Sequence, residues 1–218
     1  MSMSTRSTLR LSCVVLAAVC IPCIYAAPVL AVHLISSATP GPAGQFVVGW
    51  QFTANQAVNV VALAFWDNGG DGFAEGHTVG LYDNSLQTLL ASTTLSAGTV
   101  NFGLDSNTWR YLNIAPVTLQ ANHDYVVAGT VSSDVWNAST GLISVDSRIT
   151  FDAARESSAG TSSLQYPSLS FARNGDFGAS FLIDTAPVPE PTTLVLAGFG
   201  VLGLWAFSRR RPTSFGTP

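Results

Sequence analysis

Between residues 46 and 183 the chain repeats one pattern: a short alternating apolar run, then a cluster of glycine, asparagine or aspartate. Such runs cover 46–52, 58–66, 78–82, 86–95, 109–114, 117–119, 125–131, 142–145, 149–151 and 180–183. A period of two puts apolar side chains on one face of a strand. Turn residues punctuate the runs at Asn68-Gly69-Gly70-Asp71-Gly72, Asp83-Asn84, Asp105-Ser106-Asn107, Ala121-Asn122 and Asn174-Gly175-Asp176. No window between these limits carries a long 3.6-residue apolar period, so loops rather than helices must join the strands. That favours antiparallel pairing. The expected fold class is all-β: a single antiparallel β-sandwich, jelly-roll-like, over residues 32–187.

The charge of this region narrows its partners. Twelve aspartates and glutamates stand against four arginines between 32 and 187, a formal charge of −8, and the chain has no lysine. Nucleic acid and anionic lipid surfaces are poor partners for such a domain. The three cysteines, Cys13, Cys20 and Cys23, all lie near the N-terminus. A domain starting at 32 therefore has neither disulfide nor thiolate site and rests on its apolar core.

Both ends address the chain to a membrane. Arg6 and Arg10 precede an apolar stretch at 11–24, followed by the small residues Ala26, Ala27 and Ala31. This is the layout of a signal peptide over 1–31, with cleavage after 26 or after 31. At the other end come Pro189-Glu190-Pro191, an apolar helix over 194–207 and the cluster Arg209-Arg210-Arg211. Fourteen helical residues span ~21 Å, short of a ~30 Å hydrocarbon core. The prolines keep the helix from extending upstream, and the arginines favour the cytoplasmic side. Residues 212–218 would form a short cytoplasmic tail.

The ordered tail at 188–211 resembles the PEP-CTERM sorting signal of exported bacterial proteins. The resemblance implies that an exosortase-type membrane protease recognises Pro189, Glu190 and Pro191. It also implies an inner-membrane-anchored precursor that passes to the envelope or the exterior. The competing reading is an ordinary tail anchor. Within the domain, FWDNGGDGFAEGHTVGLYDNSLQTLLASTTL and WRYLNIAPVTLQANHDYVVAGT are similar to the DUF4082-type sandwich over about 49–130. That likeness implies a fold and no activity.

Candidate chemistry concentrates at 67–77. Asp67, Asp71 and Glu75 crowd a glycine-rich loop, and oxygen ligands on a sharply turning backbone suit calcium. As an EF-hand the loop fails, because Gly69 replaces an oxygen ligand and Thr78 stands where a bidentate glutamate belongs. The alternative is a polar hairpin loop. For glycans, Trp136 is flanked by polar residues and is the expected exposed ring, whereas Trp66 and Trp109 read as core. Nucleophilic catalysis lacks a signature: there is no Gly-x-Ser-x-Gly and no His-Glu-x-x-His. His33 falls in an expected disordered start and His123 in an exposed loop.

The combined expectation is an exported, non-enzymatic surface or matrix protein, associated with biofilm or exopolysaccharide and processed by an exosortase. A carbohydrate-binding module is the main alternative, and a calcium-dependent hydrolase the third. No cofactor is expected apart from calcium at the 67–75 loop.

Overall fold

Residues 27–34, 39–99, 103–104, 108–138, 143–173 and 175–186 are described by the computed structural model, and all regular structure among them is strand. Residues 1–26 of the expected signal peptide, the Pro-Glu-Pro motif, the apolar helix and the arginines lie outside the described residues.

Among the described residues, thirteen strands occur in the order β1 (Val29–Leu30), β2 (Val32–Leu34), β3 (Phe46–Ala54), β4 (Val58–Trp66), β5 (His77–Asp83), β6 (Leu89–Leu95) and β7 (Gly103–Leu104). They continue as β8 (Trp109–Leu119), β9 (His123–Val131), β10 (Ile143–Val145), β11 (Ile149–Glu156), β12 (Leu169–Phe171) and β13 (Ala179–Ile183). One sheet runs β1-β13-β4-β8-β7 and the other β12-β11-β3-β9-β5-β6, with a β2–β10 ribbon beside them. All pairings are antiparallel. The expected antiparallel sandwich is what the described residues build.

Aromatic rings hold the two sheets together. Trp50 on β3 stacks on Phe181 of β13 at 5.6 Å and lies 5.2 Å from Phe52. Its indole N–H donates to the Ala179 carbonyl at 2.8 Å, so the largest core side chain also satisfies its one polar atom. β4 and β13 are largely buried on both faces, which is why their sequences read as apolar runs without clean alternation. Trp66 and Trp109 are buried, as expected.

Several boundaries differ from expectation. The runs at 109–114 and 117–119 are one strand, β8, which continues through Pro116. It can do so because the Val60–Ala62 register shift opposite leaves Pro116 unpaired on a sheet edge. Residues 86–88 belong to a turn in which the Asp83 carboxylate accepts the amides of Ser85 and Leu86, each at 2.9 Å. Most consequential is the start. β1 pairs Val29 with Ile183 and Leu30 with Leu182, and Ala31 is wholly buried, so the fold begins before the expected boundary at 32. His33 is not in a loose start either: it sits in β2 opposite Ser144.

Candidate functional site

The loop after β4 and the loop after β9 meet at one end of the sandwich and frame a cleft of about 180 Å³. Trp66, Asp67, Asp71 and Phe73 line one side, and Ser133 and Asp134 the other.

Asp67 is buried, and its Oδ2 accepts from the Arg110 Nε and, at 3.0 Å, from the Gly72 amide. Arg110 is buried too, and its second donor reaches the Gly70 carbonyl at 2.9 Å. The loop therefore winds around a guanidinium that neutralises its first carboxylate. Gly72 has φ +111° and no room for a side chain beside Thr99 and Gly98, so glycine is required there. Asp71 and Glu75 are exposed, and Glu75 lies outside the cleft lining. Among the described residues no group of three or more His, Cys, Asp or Glu side chains is arranged to hold a metal.

Asp134 is the second organiser. It accepts the amides of Ala74 at 3.0 Å and Glu75 at 3.2 Å, and faces the His77 Nε2 at 2.9 Å. The other His77 nitrogen lies 2.8 Å from the Thr130 carbonyl. Each ring nitrogen thus lies within hydrogen-bond distance of an oxygen acceptor, and the tautomer decides which contact carries the proton. Its face is stacked on Phe65 at 4.1 Å, and its side chain is fully buried. His77 is a buried tie between two loops, with neither the access nor the free nitrogen of a general base.

Trp136, expected as an exposed ring, is 5% exposed. Its indole donates to the Pro42 carbonyl at 3.1 Å, its edge meets Phe46, and a Cβ on Gly41 would collide with the ring. The polar residues around it in sequence misled, because the 39–45 segment folds over it. His123, expected in an exposed loop, opens β9 half-buried and faces the Asp83 carboxylate at 2.8 Å.

The outer face of the larger sheet carries a polar strip that sequence reasoning missed. Arg155 Nε donates to Gln51 Oε1 at 3.2 Å, and its Nη2 reaches Asn84 Oδ1 at 2.9 Å, where the Tyr166 hydroxyl also donates at 2.6 Å. Beside them the Thr53 hydroxyl lies 2.9 Å from a carboxylate oxygen of both Asp124 and Asp152. Partial burial, opposed by Thr53 and reinforced by the Asp124 charge, raises the Asp152 carboxyl above its usual range. Only the alternation of β3 hinted at this strip, since its partners lie 70 to 105 residues away in sequence.

Two family models match the chain. One, described as a domain of unknown function (DUF4082), covers residues 36–176. The other, the PEP-CTERM protein-sorting motif, covers 187–211. No curated protein matches the chain at a significant level.

Proposed function

We propose that this chain, which belongs to the DUF4082 family and carries a PEP-CTERM sorting motif, is a non-enzymatic structural or adhesive protein of the cell surface or extracellular polysaccharide. The motif marks an exported protein that is membrane-anchored before an exosortase processes it. In this reading Pro189, Glu190 and Pro191 are what the protease recognises, the segment 194–207 is the temporary anchor, and the sandwich is the cargo. The observation that carries the proposal is the sorting motif placed directly after the last strand of a single sandwich. Support for a non-enzymatic role comes from His77, buried behind the cleft with its two ring nitrogens against the Thr130 carbonyl and the Asp134 carboxylate.

The test is the intact mass and location of the native protein, with peptide mapping of both ends. Loss of residues from 194 onward, in an envelope-bound or released product, supports the proposal. A complete tail in the membrane fraction of a host that has the exosortase overturns the sorting step and leaves a permanently anchored domain.

A carbohydrate-binding reading keeps one observation in its favour, now away from Trp136. The half-buried Tyr166 and the side chains of Gln51, Asn84 and Arg155 form a preorganised polar strip beside an aromatic ring. Glycan pull-down with Tyr166→Ala separates this reading from a purely structural one. Retention by the wild type and loss in the variant would favour it.

A further inference from the structure

A sandwich with two open sheets has four edges, and three of them here are blunted. β1 and β7 have two residues each, and β12 has three, with Arg173 beside it. The stretch of β8 that β7 leaves uncovered contains Pro116, which has no amide to offer an incoming strand. Short edges, charges and proline are the usual means by which sheets refuse a partner.

β6 has none of these three, and only the bulge at Leu90 interrupts it. It is seven residues long, LLASTTL, and among the described residues no strand pairs with its outer side. The register shift near its start skips Leu90, and Ala91 to Leu95 then run in regular pairing with β5. From residue 84 to 99 there is neither a charged side chain nor a proline. Three of the four large apolar side chains most exposed in the described domain lie at this hairpin: Leu86 at 70%, Leu89 at 49% and Leu90 at 40%.

We infer that β6 is a self-association edge, at which a second copy of this chain adds antiparallel to extend the larger sheet. The choice of a second copy rests on charge. Two domains of formal charge −8 repel over most orientations, and this uncharged segment is where they can approach. Antiparallel pairing of a strand with itself is an isologous two-fold contact, closed by symmetry. Backbone hydrogen bonds would supply the pairing, and burial of Leu86, Leu89 and Leu90 the apolar contribution. With the two-fold near the strand centre, the Ser92 side chains of the two copies face each other.

The full chain, purified in mild detergent with its tail retained, is examined by sedimentation together with the Ser92→Lys/Thr94→Lys variant. Both positions are exposed, on the outer face, so the fold should tolerate the change; circular dichroism checks this. The wild type is expected to dimerise at micromolar concentration. Apposed like charges in the variant should weaken the dimer about tenfold or more. Independently, with Cys13, Cys20 and Cys23 replaced by serine, Ser92→Cys should give a disulfide-linked dimer under oxidation, and Ser168→Cys, on a distant loop, should not. A wild-type chain that stays monomeric to ~100 μM overturns the inference. So does a dimer that the lysine pair leaves unchanged, which would place the contact elsewhere, in the tail or on another face.

Discussion

Asp134 faces the Nε2 of His77 at 2.9 Å, and through that contact the loop after β9 holds the loop before β5. The same carboxylate takes the amides of Ala74 and Glu75, so one side chain satisfies three donors. Replacing Asp134 by alanine leaves a fully buried ring and two amides without their acceptor. The expected cost is about 1–3 kcal/mol, read from urea denaturation. A loss below about 1 kcal/mol would mean that water replaces the carboxylate and that the tie is dispensable.

Arg110 and Asp67 form the other buried pair, between β8 and the loop after β4. Arg110→Met strands the Asp67 carboxylate and should cost about 3–5 kcal/mol, whereas adding Asp67→Asn should recover part of that loss. The loop itself should respond, because Gly70 also loses its donor. Limited proteolysis is expected to cut the single variant between Asn68 and Asp71 faster than the wild type. Equal cutting would show that the glycine turns hold the loop without the arginine.

Two aspartates should shape the pH profile with opposite sign. Hydrogen bonds from Ser85 and Leu86 hold the Asp83 carboxyl at about 2, against an ordinary 3.8. Its stabilisation is present above pH 3.8 and is lost as the pH falls toward 2. Burial pushes Asp176 up to about 6, against the opposing charge of Arg173. The folded state then holds a proton that the unfolded chain releases, so stability falls as the pH rises from 3.8 toward 6. Melting temperatures of Asp83→Asn should be flatter between pH 2 and 4, and those of Asp176→Asn flatter between pH 4 and 6. Unchanged slopes in either variant would reject the corresponding assignment.

β1 bears on where the proposed signal peptide would be removed. Ala31 donates its amide to the Phe181 carbonyl at 2.9 Å and accepts from the Asp146 amide at 3.0 Å. Cleavage after 31 would discard β1 and the buried Leu30, a loss of about 2–5 kcal/mol by analogy with core truncations. The mature chain is therefore expected to begin at Ala27. Edman sequencing or N-terminal peptide mapping decides this, and a product starting at Val32 would refute it.

Trp136 should behave as a core residue. Trp136→Ala is expected to cost about 3–5 kcal/mol and to release the 39–45 segment, seen as new protease sensitivity around Gly41. A variant as stable as the wild type would restore the ring to the list of surface candidates.

The alternating runs from 46 onward were enough to establish an all-β sandwich, because a period of two is a local property of each strand. The tail was legible for the same reason: prolines, an apolar segment and arginines in order need no folding to be recognised. What decided the fate of single side chains was contact between residues far apart in the chain. Nothing near Trp136 in sequence shows that the segment around Gly41 will cover it, and nothing near Asp67 announces Arg110, 43 residues away. The loop at 67–77 displays its carboxylates to a reader of the sequence, yet the fold commits the first to a guanidinium and turns the others to solvent. Likewise, of the four edge strands only β6 showed in the sequence as an apolar run, and nothing in that run marked it as an edge. Among the described residues, only pairing in three dimensions leaves the outer side of β6 open, because which edge goes unpaired is settled by the neighbours a strand fails to acquire.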